Sequence, residues 1–198
     1  MKNIIDTEKY INWKQCKVSR SKTFANWNLN DIVFPWERVT QIDEVSKEDP
    51  WNIYTTDLKY QLAYLHRTWG IPKESVEHFM SFQPDLPEKL KSSIEPFKNF
   101  DYSYNLLKLT PGRMIVWHFD TYATFVKRKR ISESSAEIIK RSIVMLTPWS
   151  FGHVIQIGGE ILHEWVPGDI YTWHSDTWHG AANFGKDDLI VLQVTYIE

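Results

Sequence analysis

The chain is short of cysteine, of long apolar runs and of net charge, and each shortage removes a class of protein. Cys16 is the single cysteine among 198 residues. No disulfide can therefore form within the chain and no cysteine-rich zinc site can be built, and a reducing, cytoplasmic location is expected. No run of 18 apolar residues occurs, and the N-terminal MKNIIDTEKYINWK lacks the apolar core of a signal peptide. Neither a membrane helix nor export is expected. A net charge of −2 supplies no general attraction to nucleic acid or to an anionic membrane. Internal repeats and low-complexity tracts are also missing.

What remains is an ordinary globular composition, 42% hydrophobic and 24% charged, on a length suited to one domain with a real core, residues 1–198. The unusual figure is 15% aromatic content, with ten tryptophans. Large rings in that number suit a deep core or a pocket.

The two halves read differently. In the first, residues 1–100, DLKYQLAYLHRTWG places Leu58, Leu62 and Leu65 on one helical face, with Gly70 as a C-cap. Pro72 suits the first turn of a second helix, PKESVEHFMSF. LPEKLKSSIEPFKNF reads as a third, striped by Leu86, Leu90, Ile94 and Phe97. In the second half, residues 101–198, seven short strand-like runs follow one another: YSYNLLKL, RMIVWHFD, RSIVML, FGHVIQI, EILHEWV, DIYTWH and DLIVLQVTY. Turn chemistry separates them, at Pro111-Gly112, Gly158-Gly159 and Pro167-Gly168. The pattern predicts an antiparallel jelly roll buttressed by N-terminal helices. The segment from Tyr122 to Lys140 breaks it. Its KRKR run and SESSAEIIK read as a solvated loop or capped helix, or as a lid over a site beside it.

One strand ends in VWHFDTY, where His118 and Asp120 stand two apart and so share a face. Buried polar groups there must be satisfied by hydrogen bonds or must hold something. His-x-Asp occurs twice, as His118/Asp120 and His174/Asp176, so the spacing alone does not choose between them. The first pair gains from context. It closes a strand that follows a Pro-Gly turn, and His179 follows a Gly-Asp turn and a further strand. Two imidazoles and one carboxylate on one face form the triad used for non-haem Fe(II), which leaves coordination positions open. His153 and His163 read as surface or packing residues, and His66 and His78 suggest no role. Trp117, Trp149, Trp173 and Trp178 read as core and rim aromatics, some of them able to line a pocket.

TPGRMIVWHFD, KRSIVMLTP, VPGDIYTWHSDTWHGAANF and LIVLQVTY together resemble the double-stranded β-helix core of the Fe(II)/2-oxoglutarate-dependent oxygenases. The likeness spans about half the chain. It implies a mainly β fold with a cupin-like jelly-roll core, and His118, Asp120 and His179 as metal ligands and catalytic residues. It also implies a hydroxylase that uses Fe(II), O₂ and 2-oxoglutarate, releasing succinate and CO₂. The substrate would be a small molecule or a peptide. The arginine that many members place at the start of the closing strand is replaced here by Asp187-Asp188-Leu189. Lys140 is then expected to anchor the distal carboxylate of 2-oxoglutarate, on the premise that Ser142, Val144 and Leu146 face inward. Arg141 and Lys186 are the next candidates. A metalloenzyme of the same fold without 2-oxoglutarate, and a non-catalytic ligand-binding jelly roll, remain as alternatives.

Overall fold

The computed structural model describes residues 18–25, 27, 29, 32–39, 70–118, 120, 122, 125–126, 129, 138–174 and 177–198. They form two antiparallel sheets. The strands are β1 (Ser19–Lys22), β2 (Glu37–Val39), β3 (His78–Phe82), β4 (Asp101–Leu109), β5 (Arg113–His118), β6 (Ile139–Met145), β7 (His153–Ile157), β8 (Glu160–Leu162), β9 (Asp169–His174), β10 (His179–Asn183) and β11 (Leu189–Ile197). The larger sheet runs β1-β9-β6-β11-β4-β3-β2 and the smaller β5-β10-β7-β8. From β4 onward the chain passes back and forth between the sheets, and only the β7–β8 hairpin stays in one. This is the strand order of a jelly roll, the double-stranded β-helix.

Alternation along the strands divides the apolar residues into two layers. Leu107, Leu109, Ile143, Met145, Leu189 and Val191 meet Ile155, Ile157 and Leu162 of the smaller sheet between the two sheets. Leu106, Val144, Leu192, Val194 and Tyr196 lie on the opposite face of the larger sheet. That face is covered by Phe34 and by Leu86, Leu90 and Phe97. Both faces of β4, β6 and β11 are thus buried, which is why these runs read as nearly continuous apolar sequence.

All seven expected strands are present, together with four that were not expected. The helix expected over PKESVEHFMSF is instead a 3-10 turn, Lys73–Val76, followed by β3. An open edge of β4 offers ladder partners to Phe79–Phe82, and pairing outweighs local propensity there. The third expected helix is two 3-10 turns, Glu88–Ser93 and Glu95–Phe97. Pro96 lacks the N–H that a continuing α-helix needs and its ring obstructs the preceding turn. The stripe nonetheless does what its spacing implied, since Leu90 and Phe97 are buried against the sheet. The helix expected at Asp57–Gly70 lies outside the described residues except for Gly70. β10, HGAAN, escaped notice because glycine and alanine carry little strand signal. Its order comes from pairing on both sides, with β5 and β7.

Candidate metal centre

A bulge in β5 aims His118 inward. β5 and β10 pair His118 with His179 and Ile115 with Ala181. Val116 and Trp117 therefore stand opposite the single residue Gly180. Three positions separate Ile115 from His118, which would put them on opposite faces of a regular strand. The extra residue returns His118 to the core face that Ile115 occupies, and re-aiming a side chain is a recurrent use of such bulges. The close approach requires Gly180. A Cβ there would stand 3.0 Å from the Ile115 carbonyl oxygen and 3.3 Å from the Trp117 nitrogen.

His118, Asp120 and His179 each offer one ligand atom, all within 4.8 Å of one another. The His118 and His179 rings lie 4.4 Å apart between centroids. Their orientation is fixed from behind. His118 Nδ1 donates to the Val116 carbonyl at 2.8 Å, and His179 Nδ1 donates to the Thr177 carbonyl at 2.9 Å. A carbonyl oxygen only accepts, so Nδ1 carries the proton in each ring and Nε2 is the nitrogen left to ligate. Both Nε2 atoms face the carboxylate, His118 at 3.8 Å from Oδ1 and His179 at 3.6 Å from Oδ2. Burial, then the neighbouring His118, lowers the His179 pKa to about 4, so the ring is neutral at pH 7. Imidazoles with Nδ1 on a backbone oxygen, converging by Nε2 on an ionised carboxylate, suit a divalent metal in tautomer and in donor type.

Arg141 holds the carboxylate. Its Nη2 donates to Asp120 Oδ2 at 2.7 Å and its Nε at 3.2 Å. Burial opposes ionisation of Asp120, but the Arg141 guanidinium and the two imidazoles overcome it and keep the carboxyl well below the usual range. Nε also donates to the Tyr122 hydroxyl at 3.3 Å, and the guanidinium carbon stands 5.0 Å from the Tyr122 ring centroid. Tyr122 is buried with a φ of 53°, a conformation rarely adopted by a bulky residue. Such backbone is retained where its surroundings fix it, and here the ring packs against Phe125 and Ile139.

The expected anchors fare differently. Lys140 pairs in register with Tyr196 and His174, on the face that looks away from the smaller sheet, and its ammonium meets Glu198. The premise that Ser142, Val144 and Leu146 face the space between the sheets is reversed: Val144 and Leu146 pack in the outer layer. Ser142 is buried against Thr172, hydroxyl to hydroxyl at 2.5 Å. Arg141, one position on, takes the inner face beside Asp120. Lys186 is exposed in the turn after Asn183, at the other end of β10 from His179. His174 shares the outer face with Lys140, so it cannot join the triad, and its partner Asp176 lies outside the described residues. His153 is a buried packing residue that donates from Nε2 to the Asp187 carbonyl. His163 is exposed and meets Glu164. Most of the segment 122–140, including Lys127, Arg128 and Arg130 of KRKR, lies outside the described residues, so the lid expectation does too. Lys129 meets Asp101.

Three neighbours of the triad were not placed beside it by the sequence. Tyr122 could have been found, since 118, 120 and 122 alternate onto one face. Trp173 packs its ring 5.2 Å from that of His179. His78 is buried with an Nδ1 that has no hydrogen-bond partner among the described residues, and burial, then His118, lowers its pKa to about 4. Only the pairing of β3 with β4 brings it near, and nothing local announces that.

The inner face of the larger sheet changes character toward the triad. The rows formed by Leu109 and Leu189, and by Leu107, Val191 and Met145, are apolar. Further along β4 and β11 come Asn105 and Gln193, joined by a 2.9 Å hydrogen bond. Then follow Ser103, Thr195, Arg141 and Trp173, side by side across four strands. The inner face is thus apolar at one end and polar beside the triad.

No family model and no curated protein sequence matches the chain. Solved structures do. A predicted oxalate decarboxylase from Thermotoga maritima matches with 20% identity and a TM-score of 0.38, over 62% of this chain and 82% of that one. KdgF from Halomonas sp. matches with 16% identity and a TM-score of 0.35, over 50% and 70%. The Cnp3 cupin domain of Schizosaccharomyces pombe matches with 9% identity and a TM-score of 0.37, over 60% and 61%. At such identities and scores the likeness says nothing about activity. Among the described residues no helix is long and apolar enough to cross a membrane.

Proposed function

We propose that this protein is a mononuclear non-haem Fe(II) oxygenase that uses 2-oxoglutarate and O₂ to hydroxylate a C–H bond of a small molecule or peptide. The observation that carries the reading is the triad itself: two imidazoles and one ionised carboxylate converge from β5, the residues after it, and β10. That donor set suits Fe(II) and leaves positions for further ligands. When bound, the metal would supply a redox-active centre that chelates an oxo acid and activates O₂. His118 and His179 would hold it through Nε2 and Asp120 through its carboxylate. Arg141 keeps that carboxylate ionised and oriented.

Charge supports a dianionic cosubstrate. A divalent metal with Asp120 and Arg141 carries a net charge of +2 in a site where Arg141 is 12% and Asp120 25% exposed. A dianion balances that charge, and an unbalanced buried charge is costly.

One observation favours a second reading, a metalloenzyme of the same fold that does not use 2-oxoglutarate. The end of the inner face away from the triad is lined by Leu109, Leu189 and Met145, and among these residues there is no cation to meet a distal carboxylate. Arg141, beside the triad, is already engaged by Asp120. Incubation with Fe(II), ascorbate, O₂ and 2-oxoglutarate separates the two. Succinate should form, and should not form with Asp120→Ala. A protein that binds metal yet neither binds nor consumes 2-oxoglutarate belongs to the second class.

A further inference from the structure

Trp173 is 2% exposed, and its Nε1 donor is buried without a hydrogen-bond partner among the described residues. Buried indole N–H groups normally find one, and an orphan calls for an explanation. The ring packs against His179, which puts the donor beside the site. Its position says what the missing partner is. Trp173 stands directly opposite Arg141 in the β6–β9 ladder, and Arg141 directly opposite Thr195 in the β6–β11 ladder. All three lie on the inner face. The row meets the triad twice, through the Trp173 ring against His179 and through Arg141 on Asp120.

Each member has a donor to spare. Arg141 uses Nε and Nη2 on Asp120 and Tyr122, and Nη1 has no partner among the described residues. Thr195 is buried, with its hydroxyl free of side-chain hydrogen bonds among the described residues. The row thus presents an indole N–H, a guanidinium edge and a hydroxyl at successive strand positions, about 5 Å apart. It presents no carboxylate of its own apart from Asp120, which Arg141 already holds.

We propose that Thr195, Arg141 and Trp173 bind a carboxylate of the ligand that occupies the metal centre, with the Trp173 N–H and the Thr195 hydroxyl as its specificity-determining donors. This deepens the reading above and rests on the triad holding a metal. It differs in not requiring that the acid be 2-oxoglutarate.

The test uses the full chain loaded with Zn(II), which is diamagnetic and redox-silent, and three probes: 2-oxoglutarate, succinate and oxalate. Calorimetric titration of wild type should show saturable binding of at least one. Trp173→Phe keeps the ring against His179 and deletes the donor, and should weaken that binding about 10- to 100-fold. Thr195→Val should weaken it about 3- to 10-fold. Zn(II) affinity should stay within about threefold in both. In ¹⁵N-labelled wild type, the indole resonance assigned by its loss in Trp173→Phe should move downfield when the acid is added. That second readout needs no variant to bind well. Unchanged acid affinity in both variants, or an indole resonance that stays put at saturation, overturns the proposal while leaving 2-oxoglutarate use intact. Row-dependent binding of oxalate or succinate with none of 2-oxoglutarate supports the row and sinks the oxygenase reading. Binding of no probe by wild type overturns the row.

Discussion

Replacing Arg141 by methionine removes the cation from a carboxylate that burial disfavours. Arg141 and Asp120 are 12% and 25% exposed and meet at 2.7 Å. Removing one partner of a buried pair costs about 3–5 kcal/mol, because the remaining charge is left uncompensated. The solvent still touching Asp120 lowers that to about 2–4 kcal/mol, roughly 30- to 700-fold in the folding equilibrium. The loss should appear in urea unfolding of metal-free protein held in chelator at pH 7. Asp120→Asn in the same background should restore at least ~1 kcal/mol, since contacting residues are coupled. The pH dependence has a definite sign. The folded-state pKa of Asp120 is depressed, so the pair's contribution is complete above the unfolded value, near 4, and is lost as pH falls through the folded one. The gap between wild type and Arg141→Met should close in acid. Equal stability of the two at pH 7, or strictly additive losses in the double variant, would refute the reasoning.

The remaining predictions concern the frame of the site. His78 and His179 both have folded pKa values near 4, so the unfolded chain binds more protons between about pH 6.5 and 4 and metal-free protein loses stability as pH falls through that window, each group contributing up to ~1.4 kcal/mol per unit. His78→Phe should remove roughly half of that fall; urea midpoints at pH 7 and 4.5 show it, and an undiminished fall contradicts the assignment. Gly180→Ala puts a Cβ 3.0 Å from the Ile115 carbonyl, so it should cost about 1–3 kcal/mol by parting β5 from β10, and should weaken Zn(II) binding, as thermal melting and metal titration would report. Lys140→Ala and Lys186→Ala should leave carboxylate binding within about twofold, since loss of an exposed or outward charge has little effect. A tenfold loss in Lys140→Ala would reinstate it as the anchor.

Why some of this could be read from the chain and some could not has a physical cause. Strand runs and turn glycines are local signals. The seven expected strands and the turn at Gly158, where φ is 55°, carried their structure within a few residues. The triad was legible because two of its members are sequence neighbours and the third follows a turn and a strand. The bulge that aims His118 was not legible, since it depends on the pairing of Val116 and Trp117 against Gly180. The same holds for β10 and β3, whose ladders come from partners far along the chain. The premise behind Lys140, that Ser142, Val144 and Leu146 face inward, failed for an instructive reason. With apolar residues on both faces of β6, alternation identifies two faces but not which one looks inward. That was decided by the cover that Leu90, Phe97 and Phe34 place on the other side.

The most direct test of the central claim is the metal stoichiometry of wild type and five single variants after equilibrium dialysis against Mn(II) or anaerobic Fe(II). Wild type should retain one metal per chain, as should His174→Ala and His153→Ala. His118→Ala, Asp120→Ala and His179→Ala should each retain almost none, because two remaining ligands do not hold a labile divalent ion. Full occupancy in any of those three variants, or loss of metal in His174→Ala alone, would contradict the assignment of the site.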